Sequence, residues 1–217
     1  MIVTSDGEYF GTVGGGNIEM TVIEEAKKVC RQSSPVKLVL NLEEDAGMKC
    51  GGTVEIYIEP VTPLYELVIF GAGHVGKNVA RYASDFGFKI TLVDPRVEIM
   101  NQYEKENYHL INHDYIVTAH SLQSTENTFF VVLTPKHEFD QELTGILAKK
   151  PHRYLGMIGS ARKVAIARKH YLDNHILNEQ EISKIDMPIG VKFNAQTPEE
   201  IAISILARLI DVKNSTF

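Results

Sequence analysis

Apolar positions fall along the chain in two different rhythms, and the change between them divides it. In residues 1–62 the rhythm is mixed. "MIVTSDGEYFGTV" predicts a hairpin that turns at Asp6-Gly7. Ile18, Val22, Ile23, Ala26, Val29 and Cys30 then recur at helical spacing. "VKLVLNL" and "TVEIYIEPV" alternate or are wholly apolar, so they read as strands joined through "EDAGMKCGG". The result is a small α+β unit. Its pattern begins as if in the middle of a sheet, so a truncated start, or strands borrowed from a partner in a homodimer, is expected.

"PVTPLYE" carries two prolines and marks the boundary. Over residues 63–217 short apolar runs alternate with helical segments: "LVIF", "KITLVD", "NYHLIN", "NTFFVVLTP" and "RYLGMIG" as strands, "HVGKNVARYASDFG", "EFDQELTGILAKK" and "SARKVAIARKHYLDN" as helices. That order predicts an α/β fold, a Rossmann-like doubly wound parallel sheet. The last helix is signalled by Thr197 as N-cap, Pro198 in its first turn and Glu200 three residues past the cap. Ile201, Ile205, Leu206 and Leu209 form its buried stripe.

Composition narrows the function. A net charge of −6 argues against a nucleic-acid partner, since a phosphate backbone asks for clustered Lys and Arg. No apolar run approaches the ~20 residues of a membrane span, and the first residues lack the basic and apolar regions of a signal peptide. A cytoplasmic location is expected. Two cysteines, Cys30 and Cys50, match no zinc spacing and make no disulfide framework. There is no G-x-S-x-G and no H-E-x-x-H, so neither a nucleophile triad nor a metal site is expected.

The candidate chemistry lies in glycine-rich junctions. Gly71-Ala72-Gly73-His74-Val75-Gly76 follows a predicted strand and opens a predicted helix, the setting in which this spacing binds a dinucleotide. Gly71 is there for a tight turn, Gly73 for approach to a pyrophosphate and Gly76 for helix–strand packing. Asp94 ends the next strand, where a carboxylate reads a ribose hydroxyl, with Arg96 close by. Gly159 and Ser160 form a second strand–glycine–helix junction, and Arg162 and Lys163 in the following turn fit an anion there. His137 and Asp140 follow the fourth strand and are expected to face the glycine loop. In the small unit, Gly14, Gly15 and Gly16 expose backbone N–H groups, and Cys50 sits beside Lys49 and two glycines, a setting that favours a thiolate.

Taken together, "GTVGGGNIE", "GMKCGGTVEIYIEP", "VIFGAGHVGKNVA", "VDPR", "YLGMIGSARK" and "MPIGVKFNAQTPEEIAISILARLI" resemble the XdhC/CoxI family of accessory factors for xanthine dehydrogenase and related molybdenum hydroxylases. The "GGGNIE" form looks like the XdhC branch. Such a resemblance implies a protein that binds molybdenum cofactor (a molybdopterin), protects it during sulfuration and delivers it to the apo-hydroxylase, with a cysteine desulfurase as second partner. It implies binding and delivery without turnover. Cys50 would then contact metal or sulfur. Two departures stand out: the family's usual segment before the position of Met1, and a Thr-Pro pair, Thr134-Pro135, where it usually has Thr-His. The rival reading is an NAD-dependent oxidoreductase using Gly71, Gly73, Gly76 and Asp94 with His137 as acid or base.

Overall fold

Among the described residues, two short antiparallel ribbons and one helix build the smaller unit. β1 (Ile2–Val3) pairs with β2 (Tyr9–Phe10), and α1 (Asn17–Gln32) follows. β3 (Val36–Asn41) and β4 (Thr53–Ile58) then pair in register from Val36 with Ile58 to Asn41 with Thr53. Ile18 and Val22, one helical turn apart, meet Leu40 in a small core to which Leu38, Val54, Ile56 and Ile58 add. Period-2 alternation leaves Val39 and Tyr57 outside. Cys30, expected in the core, is only half-buried and lines a cavity of about 600 Å³ between α1 and β4. A computed structural model describes residues 1–4, 6–32, 35–41, 52–61, 65–103 and 106–215. They divide into Met1–Thr62 and Pro63–Phe217.

Among the described residues the larger unit has five parallel strands: β5 (Tyr65–Phe70), β6 (Phe88–Val93), β7 (His109–Ile111), β8 (Thr128–Val132) and β9 (Tyr154–Met157). Their order across the sheet is β7-β6-β5-β8-β9. The helices are α2 (His74–Ala83), α3 (Val97–Met100), α4 (Tyr115–Ser121), α5 (His137–Leu147), α6 (Ala161–Asp173), α7 (Glu179–Ser183) and α8 (Pro198–Asn214). Side chains on successive strand positions point to opposite faces. Leu67, Ile69, Phe129 and Val131 therefore pack on one face with α2 and α8. Val68, Phe70, Phe130 and Val132 pack on the other with α4, α5, α6 and α7. Burial on both faces explains why these strands read as continuous apolar runs. The α/β doubly wound architecture is the one expected.

The capping of α8 follows its sequence signal. Thr197 Oγ1 accepts from Glu200 N at 3.2 Å, and Glu200 Oε2 accepts from Thr197 N at 3.1 Å. The short helices α3, α4 and α7 go beyond the sequence reading. Each spans at most two turns, too short for an apolar period to show.

Candidate functional site

Strand order places the site. The chain runs outward from β5 through β6 to β7, then returns to β8 on the other side of β5. Ligands of open α/β sheets bind at such a reversal, beyond the carboxyl ends of the strands. The turn after β5 lies there. Gly71 adopts φ +107°, a conformation that disfavours a side chain, and a Cβ on it would sit 2.3 Å from the Leu133 carbonyl oxygen. A Cβ on Gly76 would sit 2.0 Å from the Gly71 carbonyl oxygen, so α2 can lie this close to its strand only with glycine there. These two glycines serve the protein's own packing. Gly73 does not. Its φ of −71° suits any residue, and the nearest atom to an added Cβ is Arg96 Nη2 at 4.0 Å. A side chain at Gly73 would enter open space above the start of α2. The helix has neither a side-chain cap nor an acidic residue in its first turn. Its leading N–H groups, those of His74, Val75 and Gly76, therefore form an anion-accepting end. His74 is exposed and Val75 half-buried.

Asp94 departs from its expected part. The residue is fully buried. Its Oδ1 accepts from Arg96 N at 3.0 Å and Arg96 Nε at 2.8 Å; its Oδ2 accepts from Arg96 Nη2 at 2.7 Å and Ala72 N at 2.9 Å. Each oxygen already has two donors, so the carboxylate offers nothing to a ribose. It ties the glycine loop to Arg96 instead. Burial pushes its pKa up, but the hydrogen bonds from Arg96 and Ala72 outweigh that and hold the carboxyl below the usual range. The same pairing raises Arg96, and 35% of that side chain is exposed.

Three residues around this pair escaped the sequence reading. Tyr103 donates to the Ala72 carbonyl at 2.6 Å, and burial pushes its phenol up to about 12. Asn112 donates to the Asp94 carbonyl at 2.7 Å. Tyr115, on α4, is 2% exposed, and its hydroxyl lies beside the Asp94–Arg96 pair; burial and the Asp94 charge push its phenol up. Asp114 was the available signal: its carboxylate caps α4 by accepting from Ile116 N and Val117 N, immediately before Tyr115.

At the end of β8, Thr134 N and Thr134 Oγ1 both donate to Asp140 Oδ1, at 2.9 and 2.7 Å. Asp140, 3% exposed, thereby holds the turn that carries Pro135. Burial pushes its carboxyl up, against the opposing hydrogen bonds from Thr134 and the charges of His137 and Lys163. Both ring nitrogens of His137 are buried without a partner. The ring instead borders a cavity of about 890 Å³ along α5 and α6 whose walls include His120, His170 and Tyr171. That cavity includes none of the glycine-loop residues. At the end of β9, Ser160 caps α6 by accepting from Lys163 N at 3.4 Å, and Arg162 is exposed. Gly159 is half-buried, and an added Cβ there would find only ordinary contacts.

In the smaller unit, Gly14, Gly15 and Gly16 all have positive φ, as a run of exposed N–H groups requires. The protein fills part of that run itself: Glu19 Oε1 accepts from Val13 N at 3.3 Å, Gly15 N at 3.2 Å and the Thr12 hydroxyl. Cys50 lies outside the described residues. Among the described residues no group of three His, Cys, Asp or Glu is arranged to hold a metal, and no helix is long and apolar enough to cross a membrane.

Residues 67–209 match the family described as the XdhC Rossmann domain, and residues 1–40 match the one described as the XdhC and CoxI family. The chain is 30% identical over 221 residues to the uncharacterized protein YqeB of Escherichia coli (strain K12), covering 99% of this chain and 40% of that one. It is 29% identical over 171 residues to a Bacillus subtilis (strain 168) protein described as a probable xanthine dehydrogenase subunit, covering 74% and 47%. The chain thus spans less than half the length of these relatives. A crystal structure described as a xanthine dehydrogenase from Bacillus halodurans shares its fold, with a TM-score of 0.61 at 21% identity over 99% of this chain and 86% of that one.

Proposed function

Since the chain belongs to the XdhC and CoxI family, we propose that it is an accessory factor for a molybdenum hydroxylase of the xanthine dehydrogenase type, binding molybdenum cofactor and handing it to the apo-enzyme. The observation that carries this reading is Gly73. The fold needs Gly71 and Gly76 for itself, whereas the missing side chain at Gly73 only keeps space open beside an uncapped helix end and a guanidinium. A terminal phosphate fits that space. The N–H groups of His74, Val75 and Gly76 would hold it, with Arg96 as counter-charge. When bound, the cofactor supplies the metal–sulfur centre on which the hydroxylase depends. This chain's residues bind and orient it; none is asked to carry a reaction step.

The hydride-transfer alternative draws on Asp94 and His137. The first has both oxygens committed, and the second has both ring nitrogens buried. Neither arrangement supports it. Cys50 as metal or sulfur contact, a cysteine desulfurase partner, homodimerisation and a cytoplasmic setting belong to the same accessory reading and rest on the family.

Anaerobic purification tests the proposal. The wild-type protein is expected to retain pterin and molybdenum and to activate an apo-hydroxylase. Gly73→Val is expected to do neither while unfolding much as wild type does. Cofactor retained equally by Gly73→Val would remove the glycine loop from the site. A wild-type protein that neither retains cofactor nor activates the apo-enzyme would end the accessory reading.

A further inference from the structure

The cavity along α5 and α6 lies away from the glycine loop, and the proposed cofactor site makes no use of it. Glu138, Gln141, Glu142, Gly145 and Ile146 line it from α5, with Lys149 just past the end of that helix. They recur at three- and four-residue steps, so the cavity is a trough along one helix face. From Glu138 to Lys149 it follows about 16 Å of helix axis. Ile166 on α6 and Ile176 beyond it belong to the facing wall. Ile166 is 50% exposed, and Ile146 and Ile176 are half-buried. The middle of the trough is therefore apolar and open to water.

Its ends carry opposite charge. Glu138 and Glu142 are exposed at one end and Lys149 at the other, and none of the three makes an ion pair among the described residues. Lys150, at the second end, is already engaged: its Nζ donates to the carbonyls of His120 and Leu122 at 3.1 and 2.8 Å. The helix dipole accounts for Glu138 in the first turn and Lys149 after the last. It accounts neither for Glu142, a turn further in, nor for an exposed isoleucine on the facing wall.

We propose that this trough docks an amphipathic α-helix of another protein, with an apolar stripe between the two walls, Lys or Arg over Glu138 and Glu142, and Asp or Glu over Lys149. Charge complementarity selects this occupant. A trough of this length takes about three turns of helix, enough for apolar anchors at i, i+3 or i+4, and i+7. A small ligand lying on Ile146 and Ile166 would leave both charged ends to water. Helices favour acids in the first turn and bases in the last, so one lying antiparallel to α5 supplies both charges in the right order. The site stands apart from the reading of the glycine loop.

Fluorescence anisotropy with three labelled helical peptides of ~12 residues, the length of the trough, tests this. All three share one leucine stripe. The first has an acidic first turn and a basic last turn, the second is acidic at both ends, and the third is basic at both ends. The first is expected to bind the wild-type protein at least ~5-fold more tightly than either of the others, the effect of exposed charge pairs. High salt should shrink that advantage. Lys149→Glu should move the preference to the peptide basic at both ends, and Glu138→Lys/Glu142→Lys to the one acidic at both ends. Ile166→Ser should weaken all three alike at an unchanged unfolding midpoint. No binding by any peptide, or a preference indifferent to the charge reversals, would overturn the proposal. So would a protein that light scattering shows to be a dimer and that Ile166→Ser turns into a monomer, because a second copy would then fill the trough.

Discussion

Gly76→Ala is the sharpest test of how the glycine loop is built. The added Cβ would lie 2.0 Å from the Gly71 carbonyl oxygen and 3.1 Å from its carbon. The first distance falls short of an ordinary contact by more than ~1 Å, and the atom in the way is backbone that cannot rotate aside. The start of α2 must therefore lift off the sheet. Val79, Ala80 and Ala83 are fully buried under that helix, so the lift loosens their contacts with α8 and with Leu67 and Ile69. Overpacking of this kind costs ~1–3 kcal/mol and occasionally more. Alanine recovers up to ~1 kcal/mol as the better helix former. A net loss of about 1–2 kcal/mol is expected. Gly73→Ala, with open space before it, should lose under ~1 kcal/mol, the difference between glycine and alanine as N-cap. Urea unfolding followed by circular dichroism reads both, provided the slope stays constant. Equal stability of the two variants, or a Gly76→Ala midpoint at the wild-type value, would refute the division between packing glycines and a ligand glycine.

Two carboxylates should respond to acid with opposite signs. Asp94 is held below its ordinary pKa, so its contribution is complete above the unfolded value and is lost as pH falls through the folded one; Asp94→Asn should flatten the acid limb of a stability–pH curve. Asp140 is pushed up, so its ionisation erodes stability as pH rises through the folded value; Asp140→Asn, which keeps an acceptor for Thr134, should compare best with wild type near neutral pH and worst in acid. Thr197→Ala removes one side of the α8 capping box and should cost ~1 kcal/mol in the same unfolding assay. Cys50→Ala should impair activation of an apo-hydroxylase with little change in melting temperature. Full activation by that variant would remove the thiol from the mechanism.

The fold was legible where burial is two-sided. "NTFFVVLTP" reads as a strongly apolar fourth strand, and β8 is buried at every position. The end of α8 was legible because Thr197, Pro198 and Glu200 act within a single turn. Local signals also gave the glycine turn and the positive φ values of Gly14 to Gly16. What did not show in the sequence were partnerships over distance. Asp94 has the right position for a ribose ligand, and only the folded chain reveals that Arg96, two residues on, folds back to consume it. The Tyr103 bond to Ala72 spans 31 residues, and no periodicity predicts it. Glu19 lies in the first turn of α1, and its carboxylate reaches back over the glycine run. His137 was placed in the crevice by topology alone; it lines the cavity along α5 and α6, whose walls include no glycine-loop residue.

Helix α8 packs against α2, so the helix that opens with the glycine loop is enclosed by the last helix of its own domain. That has a consequence for timing on the ribosome. When β5, α2 and β6 emerge, the sheet face they share with α8 is still bare, and Ala80 and Ala83 have nothing to rest on. Translation at ~5–20 residues per second puts roughly 7–30 s between the appearance of Phe70 and that of Asn214. A nascent chain in that interval has the loop sequence but not the helix that encloses α2. On the accessory reading proposed above, cofactor loading would have to wait until α8 has been made and has packed on α2.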